Sequence, residues 1–160
     1  MAMDDANNTG GATPTFETKE ELTAALTDVV QLLTTCLETL SPALGSHSKR
    51  VGEISRIIAE SLGLEASVVR DIEFTGMLHD LGKLATIIDT CEFKEAPVYS
   101  TFPSFPMAGF NILGTVKGFD RVQLYLKHQL EKWDCTGKPD GLCRYQIPIG
   151  SRIIAVANDY

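Results

Sequence analysis

Residues 74–85 read FTGMLHDLGKLA, an apolar segment in which an imidazole and a carboxylate stand side by side at His79 and Asp80. Gly82 follows closely, and Lys83 stands three residues after the aspartate. Imidazole and carboxylate ligands together suit hard or borderline divalent metals, and a nearby ammonium suits a phosphate. Taken alone, the dipeptide favours a hydrogen-bonded pair at a helix end; a metal centre requires further ligands from elsewhere in the chain.

Apolar residues recur at helical spacing over most of the chain, and no segment shows the convincing alternation of a β-strand. Thr18 and Glu21 have the spacing of a capping box at the start of the first helix, which Ser41-Pro42 ends. Gly63 is a C-cap candidate for the second helix. The sequence therefore predicts an all-α fold, with helices over approximately residues 18–40, 47–62, 65–81, 108–117, 120–130 and 151–160.

Two internal segments lack the helical spacing of apolar residues. Residues 89–104 contain Pro97 and Pro103, and residues 134–150 contain three glycines and two prolines. We interpret both as loops, the second ordered but irregular. Residues 1–16 are small, polar and Gly-rich, which is typical of a disordered tail or linker, so residues 17–160 form the predicted domain.

The bulk composition excludes several classes of protein. A chain of 160 residues has room for one domain with a sizeable core. Its net charge of −7 argues against binding a nucleic acid polymer or an anionic membrane. The sequence has neither an apolar run long enough for a membrane span nor the features of a signal peptide. Cys36, Cys91, Cys135 and Cys143 form no Cys-x-x-Cys motif, which favours a reduced, cytoplasmic protein with free thiols.

Five motifs together resemble one known family. The motifs are GSHSKRV (45–51), MLHDLGKLA (77–85), FPMAGFNIL (105–113), EKWDCTGKPDGL (131–142) and IPIGSRIIAVANDY (147–160). Their order and spacing are similar to those of the HD-GYP family, the HD phosphohydrolases that hydrolyse the bacterial messenger cyclic di-GMP. That family typically reads ERWDGTGYPDGL in the fourth motif, and nine of these twelve positions are identical in this chain. The resemblance covers about residues 30–160 and implies a single HD-domain helical bundle.

The resemblance also implies a metal site, because family members bind two or three metals through histidines and aspartates. The family's early histidine is kept as His47, its His-Asp pair as His79 and Asp80, and its lysine as Lys83. The first three are candidate metal ligands, and Lys83 is the candidate phosphate-binding residue. Asp80 and Lys83 are the catalytic candidates if the domain is active.

Four other positions that resemble family ligands carry different residues. Phe105 stands in place of one histidine, Gln129 and Leu130 in place of two adjacent histidines, and Asn158 in place of the final aspartate. Phenylalanine and leucine cannot ligate a metal, and glutamine is a weak neutral donor. The resemblance therefore implies at most one divalent ion, such as manganese or iron, with Asn158 offering only a carbonyl oxygen.

Two neighbouring residues are candidate substitutes for the lost ligands. His128 precedes the lost histidine pair, and Asp159 follows the lost aspartate. Each is one residue out of place, about 100° around a helix, so either substitution requires a local shift in register. The signature tripeptide Gly-Tyr-Pro reads Gly137-Lys138-Pro139, and its lysine either faces a phosphate, alters a partner surface or is a solvated residue in a tolerant loop.

The resemblance leaves two main functions open, besides other HD-superfamily phosphohydrolase activities on different nucleotides. The first is a degenerate HD-GYP domain, a signalling module that binds cyclic di-GMP or a signalling protein such as a diguanylate cyclase (GGDEF) without efficient hydrolysis. The alternative is an active metal-dependent cyclic di-GMP phosphodiesterase that uses substituted ligands. Family members usually continue past the last motif with another helix or two, so we expect either a fragment or a bundle truncated at its C-terminus.

Overall fold

The computed structural model describes residues 18–84 and 105–160, which form a helical bundle. Within these two ranges there is no β-strand, which confirms the predicted all-α class. The predicted tail and the whole of the predicted loop at 89–104, which contains Cys91, lie outside the described residues. The complete helices are α1 (Lys19–Leu40), α2 (Pro42–Ser61), α3 (Ala66–Leu78), α4 (Phe105–Leu113), α5 (Asp120–Lys127) and α6 (Ile149–Asp159), and a short 3-10 helix spans Arg144–Gln146. None of the helices in the described ranges is long and apolar enough to cross a membrane.

Local hydrogen bonds set the limits of the first two helices. The Thr18 hydroxyl accepts from the Glu21 N–H at 3.1 Å, and the Glu21 carboxylate accepts from the Thr18 N–H at 3.3 Å, which confirms the capping box. The predicted start of α2 near His47 was wrong. The helix begins earlier, at Pro42, because Ser41 provides a side-chain N-cap and proline suits the first helical position. His47 therefore lies inside α2.

The core consists of two clusters that share α3. The first cluster joins α1, α3, α4 and α5 and contains Leu26, Val30, Phe74, Leu78, Leu81, Leu113, Phe119, Val122 and Leu126. The second cluster joins α2, α3, α5 and α6 and contains Ala59, Val69, Ile72, Tyr125, Ile153 and Ile154. Burial of each large apolar side chain contributes about 1.5–3 kcal/mol. Because α3 packs into both clusters, its C-terminal end is held firmly in the bundle.

Helices α2 and α3 run antiparallel and touch backbone to backbone at Gly52 and Gly76. A Cβ atom added to Gly76 would lie 2.8 Å from the Gly52 Cα, closer than real Cβ contacts allow. This approach brings His47, which precedes the contact on α2, to the same end of the bundle as His79, which follows it on α3. Two small residues therefore set the separation of the candidate ligands.

We predict that Gly76→Ala destabilises the fold by about 1–3 kcal/mol, because the added methyl group must push α2 and α3 apart. Urea denaturation of both proteins measures the difference. Glu53→Ala, an exposed change one residue from Gly52 on α2, is the matched control and should leave the unfolding midpoint nearly unchanged. Equal midpoints for Gly76→Ala and the native protein would contradict the close approach.

Candidate metal centre

Three donor side chains converge where α2 and α3 meet. His47 extends from α2, while His79 and Asp80 directly follow the last residue of α3. The ligand atoms of these three residues all lie within 4.8 Å of one another. The two imidazole rings meet edge to face, with centroids 5.1 Å apart. Among the described residues, this is the one group of three histidine, cysteine or carboxylate side chains arranged closely enough to hold a metal ion.

The orientation of the His79 ring suits a metal ligand. Its Nδ1 lies 2.7 Å from the Gly76 carbonyl oxygen, so Nδ1–H donates and Nε2 carries the lone pair. Nε2 is buried, has no hydrogen-bond partner and lies 3.4 Å from the Asp80 Oδ2. An imidazole lone pair and a carboxylate oxygen facing one another repel unless a proton on Nε2 or a metal ion lies between them. The donors present therefore fit a divalent ion, with the Gly76 carbonyl fixing the tautomer of the ligand.

Asp80 is buried, yet it is held in its ionised form. Burial raises the pKa of this carboxyl group, but the His79 ring and the Lys83 ammonium act against burial and leave the pKa below its usual value. The Lys83 Nζ donates to Asp80 Oδ2 at 2.7 Å and remains half exposed. Asp80 is therefore available as an anionic ligand, and Lys83 presents a positive charge beside the cluster.

His47 is engaged with Asn158 of α6. The Arg50 guanidinium can only donate and lies 3.4 Å from His47 Nδ1, so Nδ1 accepts and Nε2–H donates to Asn158 Oδ1 at 2.9 Å. An ion bound at His47 Nε2 would have to replace this proton and the contact with Asn158. The structure thus places Asn158 next to the cluster, where its amide oxygen is already used by a histidine.

The positions that resemble lost ligands have other contacts. The Gln129 side-chain amide donates to the backbone oxygen of His79 at 3.0 Å, so Gln129 supports the turn after α3. Phe105 lies beside Lys83, whose Nζ is 5.4 Å from the centre of the ring. Leu130 is 42% exposed. Of these three side chains, only Gln129 carries a ligating atom, the weak neutral oxygen of its amide.

Neither candidate substitute joins the cluster. His128 has Nδ1 2.9 Å from the Leu124 carbonyl oxygen and Nε2 3.0 Å from Asp140 Oδ2, so both of its nitrogens are used elsewhere. Asp159 is exposed at the end of α6 and is not among the grouped ligands. The one-residue offset along the chain turns each side chain away from the cluster.

Glu131 organises the signature loop, which is the segment 134–142 around Gly137-Lys138-Pro139. The sequence analysis did not assign this role to Glu131. Its buried carboxylate accepts the backbone N–H of Asp140 at 2.7 Å and that of Leu142 at 2.9 Å. Gly137 packs directly on the backbone of Glu131, where a Cβ atom has no room. Lys138 is exposed, and the peptide bond between Lys138 and Pro139 is cis. The clue in the sequence was the glutamate that opens the loop motif.

The prediction of free thiols was wrong for two of the four cysteines. Cys135 and Cys143 form a disulfide with their Cα atoms 4.5 Å apart. Their spacing is not a recognised motif; they meet because the loop between them folds back on Glu131. Cys36 is free and exposed. The cysteines therefore do not support a reduced protein, and the cytoplasmic location stays a prediction.

Comparison with known proteins agrees with this geometry. The HD domain family matches residues 31–160. The cyclic di-GMP phosphodiesterase response regulator RpfG of Xanthomonas campestris pv. campestris is 31% identical over 138 residues, covering 82% of this chain and 36% of the relative. A cyclic di-GMP phosphodiesterase of Thermotoga maritima is 31% identical over 147 residues, covering 84% of this chain and 38% of the relative. The 3'3'-cGAMP-specific phosphodiesterase 1 of Vibrio cholerae is 28% identical over 150 residues, covering 92% of this chain and 35% of the relative.

The bundle and its His-Asp cluster define a domain of the HD phosphohydrolase class. The chain belongs to the HD domain family, and the HD-GYP resemblance drawn from its motifs is confirmed. The chain spans little more than a third of the length of these relatives. The division into a tail at 1–16 and a domain at 17–160 stays a prediction.

We predict that His79→Ala weakens binding of Mn²⁺ by more than about tenfold, because it removes the best-oriented lone pair in the cluster. Calorimetric titration of the purified protein measures the affinity, with far-UV circular dichroism as a check on folding. His128→Ala removes another buried histidine outside the cluster and is the matched control. Equal loss of affinity in both variants would contradict the assignment of the ligands.

Proposed function

We propose that this domain is a degenerate HD-GYP module that binds a cyclic dinucleotide beside the His-Asp cluster without efficient hydrolysis. One observation carries the proposal. His47, His79 and Asp80 converge as a set of donors, whereas the positions corresponding to a second site contribute a supporting amide, an exposed leucine and a phenylalanine. The donors for one ion thus converge, whereas the positions corresponding to a second ion offer only the amide oxygen of Gln129.

The number of ions decides what chemistry the cluster can support. His47, His79 and Asp80 would hold one divalent ion, which supplies positive charge for a phosphoryl oxygen when it is bound. A two-ion site stabilises both the attacking and the leaving oxygen of an in-line displacement. Loss of one half of that arrangement costs orders of magnitude in rate, since each ~1.4 kcal/mol of barrier is a factor of ten. Binding can therefore survive in a domain that hydrolyses poorly.

The chain's own residues support a phosphate at the cluster. The Lys83 ammonium is half exposed, lies 2.7 Å from the Asp80 carboxylate and is 5.4 Å from the centre of the Phe105 ring. A phosphate that approaches the cluster can take up hydrogen bonds from this ammonium. The relatives are named as phosphodiesterases of cyclic di-GMP or 3'3'-cGAMP, so a cyclic dinucleotide is the ligand class that we assign. A diguanylate cyclase (GGDEF) or another signalling protein is the alternative partner.

A second function is an active metal-dependent cyclic di-GMP phosphodiesterase with substituted ligands. The observation in its favour is that the first cluster retains the Asp80 carboxylate and a buried His79 Nε2 without a hydrogen-bond partner. In this case Asp80 and Lys83 are the catalytic candidates. The two functions differ in turnover, which the experiments below measure.

We predict that Lys83→Ala weakens cyclic di-GMP binding by about tenfold, because it removes a charge-assisted hydrogen bond to phosphate. Isothermal titration calorimetry of the native protein and the variant, each with Mn²⁺, measures the change. Lys117→Ala, an exposed lysine between α4 and α5, controls for the loss of one positive charge. Absence of binding by the native protein would refute the ligand and favour a protein partner.

We also predict that restoring the family's donors restores metal binding and then slow turnover. The variant carries Phe105→His, Gln129→His, Leu130→His and Asn158→Asp. Without metal it should be less stable by roughly 1–3 kcal/mol, because Gln129 loses its hydrogen bond to His79 and imidazole replaces a partly buried Phe105. Added manganese or iron should raise its melting temperature through binding to the folded state.

Melting temperature, metal content and cyclic di-GMP hydrolysis are compared for the native and repaired proteins, each with and without metal. Adding His79→Ala to the repaired protein is the control, and it should abolish any gain. A native protein that hydrolyses cyclic di-GMP as fast as the repaired one would establish the second function and overturn the first.

A further inference from the structure

The disulfide between Cys135 and Cys143 closes the signature loop at its base. The two residues are eight positions apart, and the tripeptide Gly137-Lys138-Pro139 lies between them. Cys135 is exposed and Cys143 is half-buried, so the bond lies at the surface within reach of small solutes. Exposed disulfides are the ones that exchange readily with thiols in solution.

The backbone at Cys135 is unusual for a residue with a side chain. Its φ angle is +71°, in the left-handed region where glycine is favoured. The HD-GYP motif typically has glycine at this position. Here a cysteine occupies the glycine conformation, and its sulfur has Cys143 as its partner. The cysteine in place of the family's glycine thus gives this loop a disulfide that glycine could not form.

The disulfide is the covalent restraint on the loop, and hydrogen bonds restrain it as well. Glu131 accepts the N–H groups of Asp140 and Leu142 in the second half, and the Leu130 carbonyl oxygen accepts the Lys138 N–H at 3.3 Å in the first half. These contacts do not involve the sulfurs. Opening the disulfide therefore removes the covalent link between Cys135 and the segment at Cys143, while the hydrogen bonds keep the loop attached beside α5.

An aromatic contact between Trp133 and Tyr145 lies beside this covalent link. Trp133 stands two residues before Cys135, and Tyr145 stands two residues after Cys143. Their rings meet edge to face with centroids 5.1 Å apart, and the Arg152 guanidinium lies 5.7 Å from the centre of the Tyr145 ring. Trp133 is 50% exposed and Tyr145 81% exposed, so little else holds them together. The disulfide is thus the covalent link that keeps this surface assembled.

We propose that Cys135 and Cys143 form a reversible thiol–disulfide exchange site that locks the signature loop and the Trp133–Tyr145 surface. The oxidant is a low-molecular-weight disulfide of the glutathione class. The exposed Cys135 thiolate attacks one of its sulfurs, forms a mixed disulfide and expels one small thiolate. The Cys143 thiolate then attacks the Cys135 sulfur and expels the second. The protein loses two protons and two electrons, and the small disulfide becomes two thiols.

This exchange site goes beyond the proposed function and does not depend on it. The oxidised form presents Trp133, Tyr145 and Arg152 in one fixed arrangement beside the signature loop. The reduced form leaves Trp133 free to move relative to Tyr145. The chain thereby acquires a loop whose order responds to the thiol–disulfide balance of its surroundings, whether or not the domain binds a cyclic dinucleotide.

Mass spectrometry can follow this bond in the full chain. The protein is equilibrated with defined mixtures of reduced and oxidised glutathione, its free thiols are then alkylated, and it is digested with trypsin. Residues 133–144 form one tryptic peptide that contains both cysteines, because trypsin does not cleave between Lys138 and Pro139. The expected result is a reversible change between a doubly alkylated peptide and an unalkylated peptide lighter by two hydrogens.

Fluorescence reports the loop in the same samples, because Trp133 is the only tryptophan in the chain. Emission should rise on reduction, since a nearby disulfide quenches an excited indole and reduction removes that disulfide. The emission change and the oxidised fraction should share one midpoint. Three results would each overturn the proposal. The bond never forms; excess reduced glutathione does not open it in the folded protein; or the emission stays the same in the oxidised and reduced samples.

Three variants separate the bond from general redox effects. Cys143→Ser should fold normally and show no emission change across the same mixtures. Cys135→Gly should behave in the same way and tests folding independently, because glycine suits the positive φ angle. Cys36→Ser removes an exposed thiol outside the loop, and its oxidised fraction and emission should change with the glutathione mixture as they do in the native protein. A response that persists in Cys143→Ser and disappears in Cys36→Ser would assign the effect to the wrong cysteine and refute the site.

Discussion

The close contact between α2 and α3 is the constraint on which the site depends. Gly52 and Gly76 let the two backbones meet where a single Cβ atom would force them apart. Because the helices are antiparallel, this contact carries His47 and His79 to the same end of the bundle. Core clusters on both sides of α3 hold the contact in place. The candidate metal centre is thus a consequence of helix packing rather than of a dedicated binding loop.

The same helix end orients the ligands. The carbonyl of Gly76 takes the Nδ1–H of His79 and directs Nε2 toward Asp80, while Gln129 binds the backbone oxygen of His79 from another part of the chain. Gln129 occupies a position that resembles a histidine ligand, yet its amide stabilises the turn that presents His79 and Asp80. A domain can therefore lose donors for one ion and keep the frame that presents the donors for another.

The signature loop is held in place by different kinds of contact from those that orient the cluster. Its second half is held by Glu131, whose buried carboxylate is satisfied by two backbone N–H groups. The bond between Cys135 and Cys143 adds a covalent link across the loop. Under the proposed exchange, the hydrogen bonds persist in the folded domain, whereas the disulfide depends on the thiols of the surroundings.

The sequence alone determined the features that depend on local order. The helical spacing of apolar residues and the Thr18 capping box indicated an all-α domain, and the motifs identified its family. These features depend only on residues that are close together in the sequence. Only the tertiary structure decided where His128 and Gln129 point and that Cys135 meets Cys143. One residue along a helix turns a side chain by about 100°, and a loop closes through contacts made elsewhere, so neither outcome is encoded in spacing.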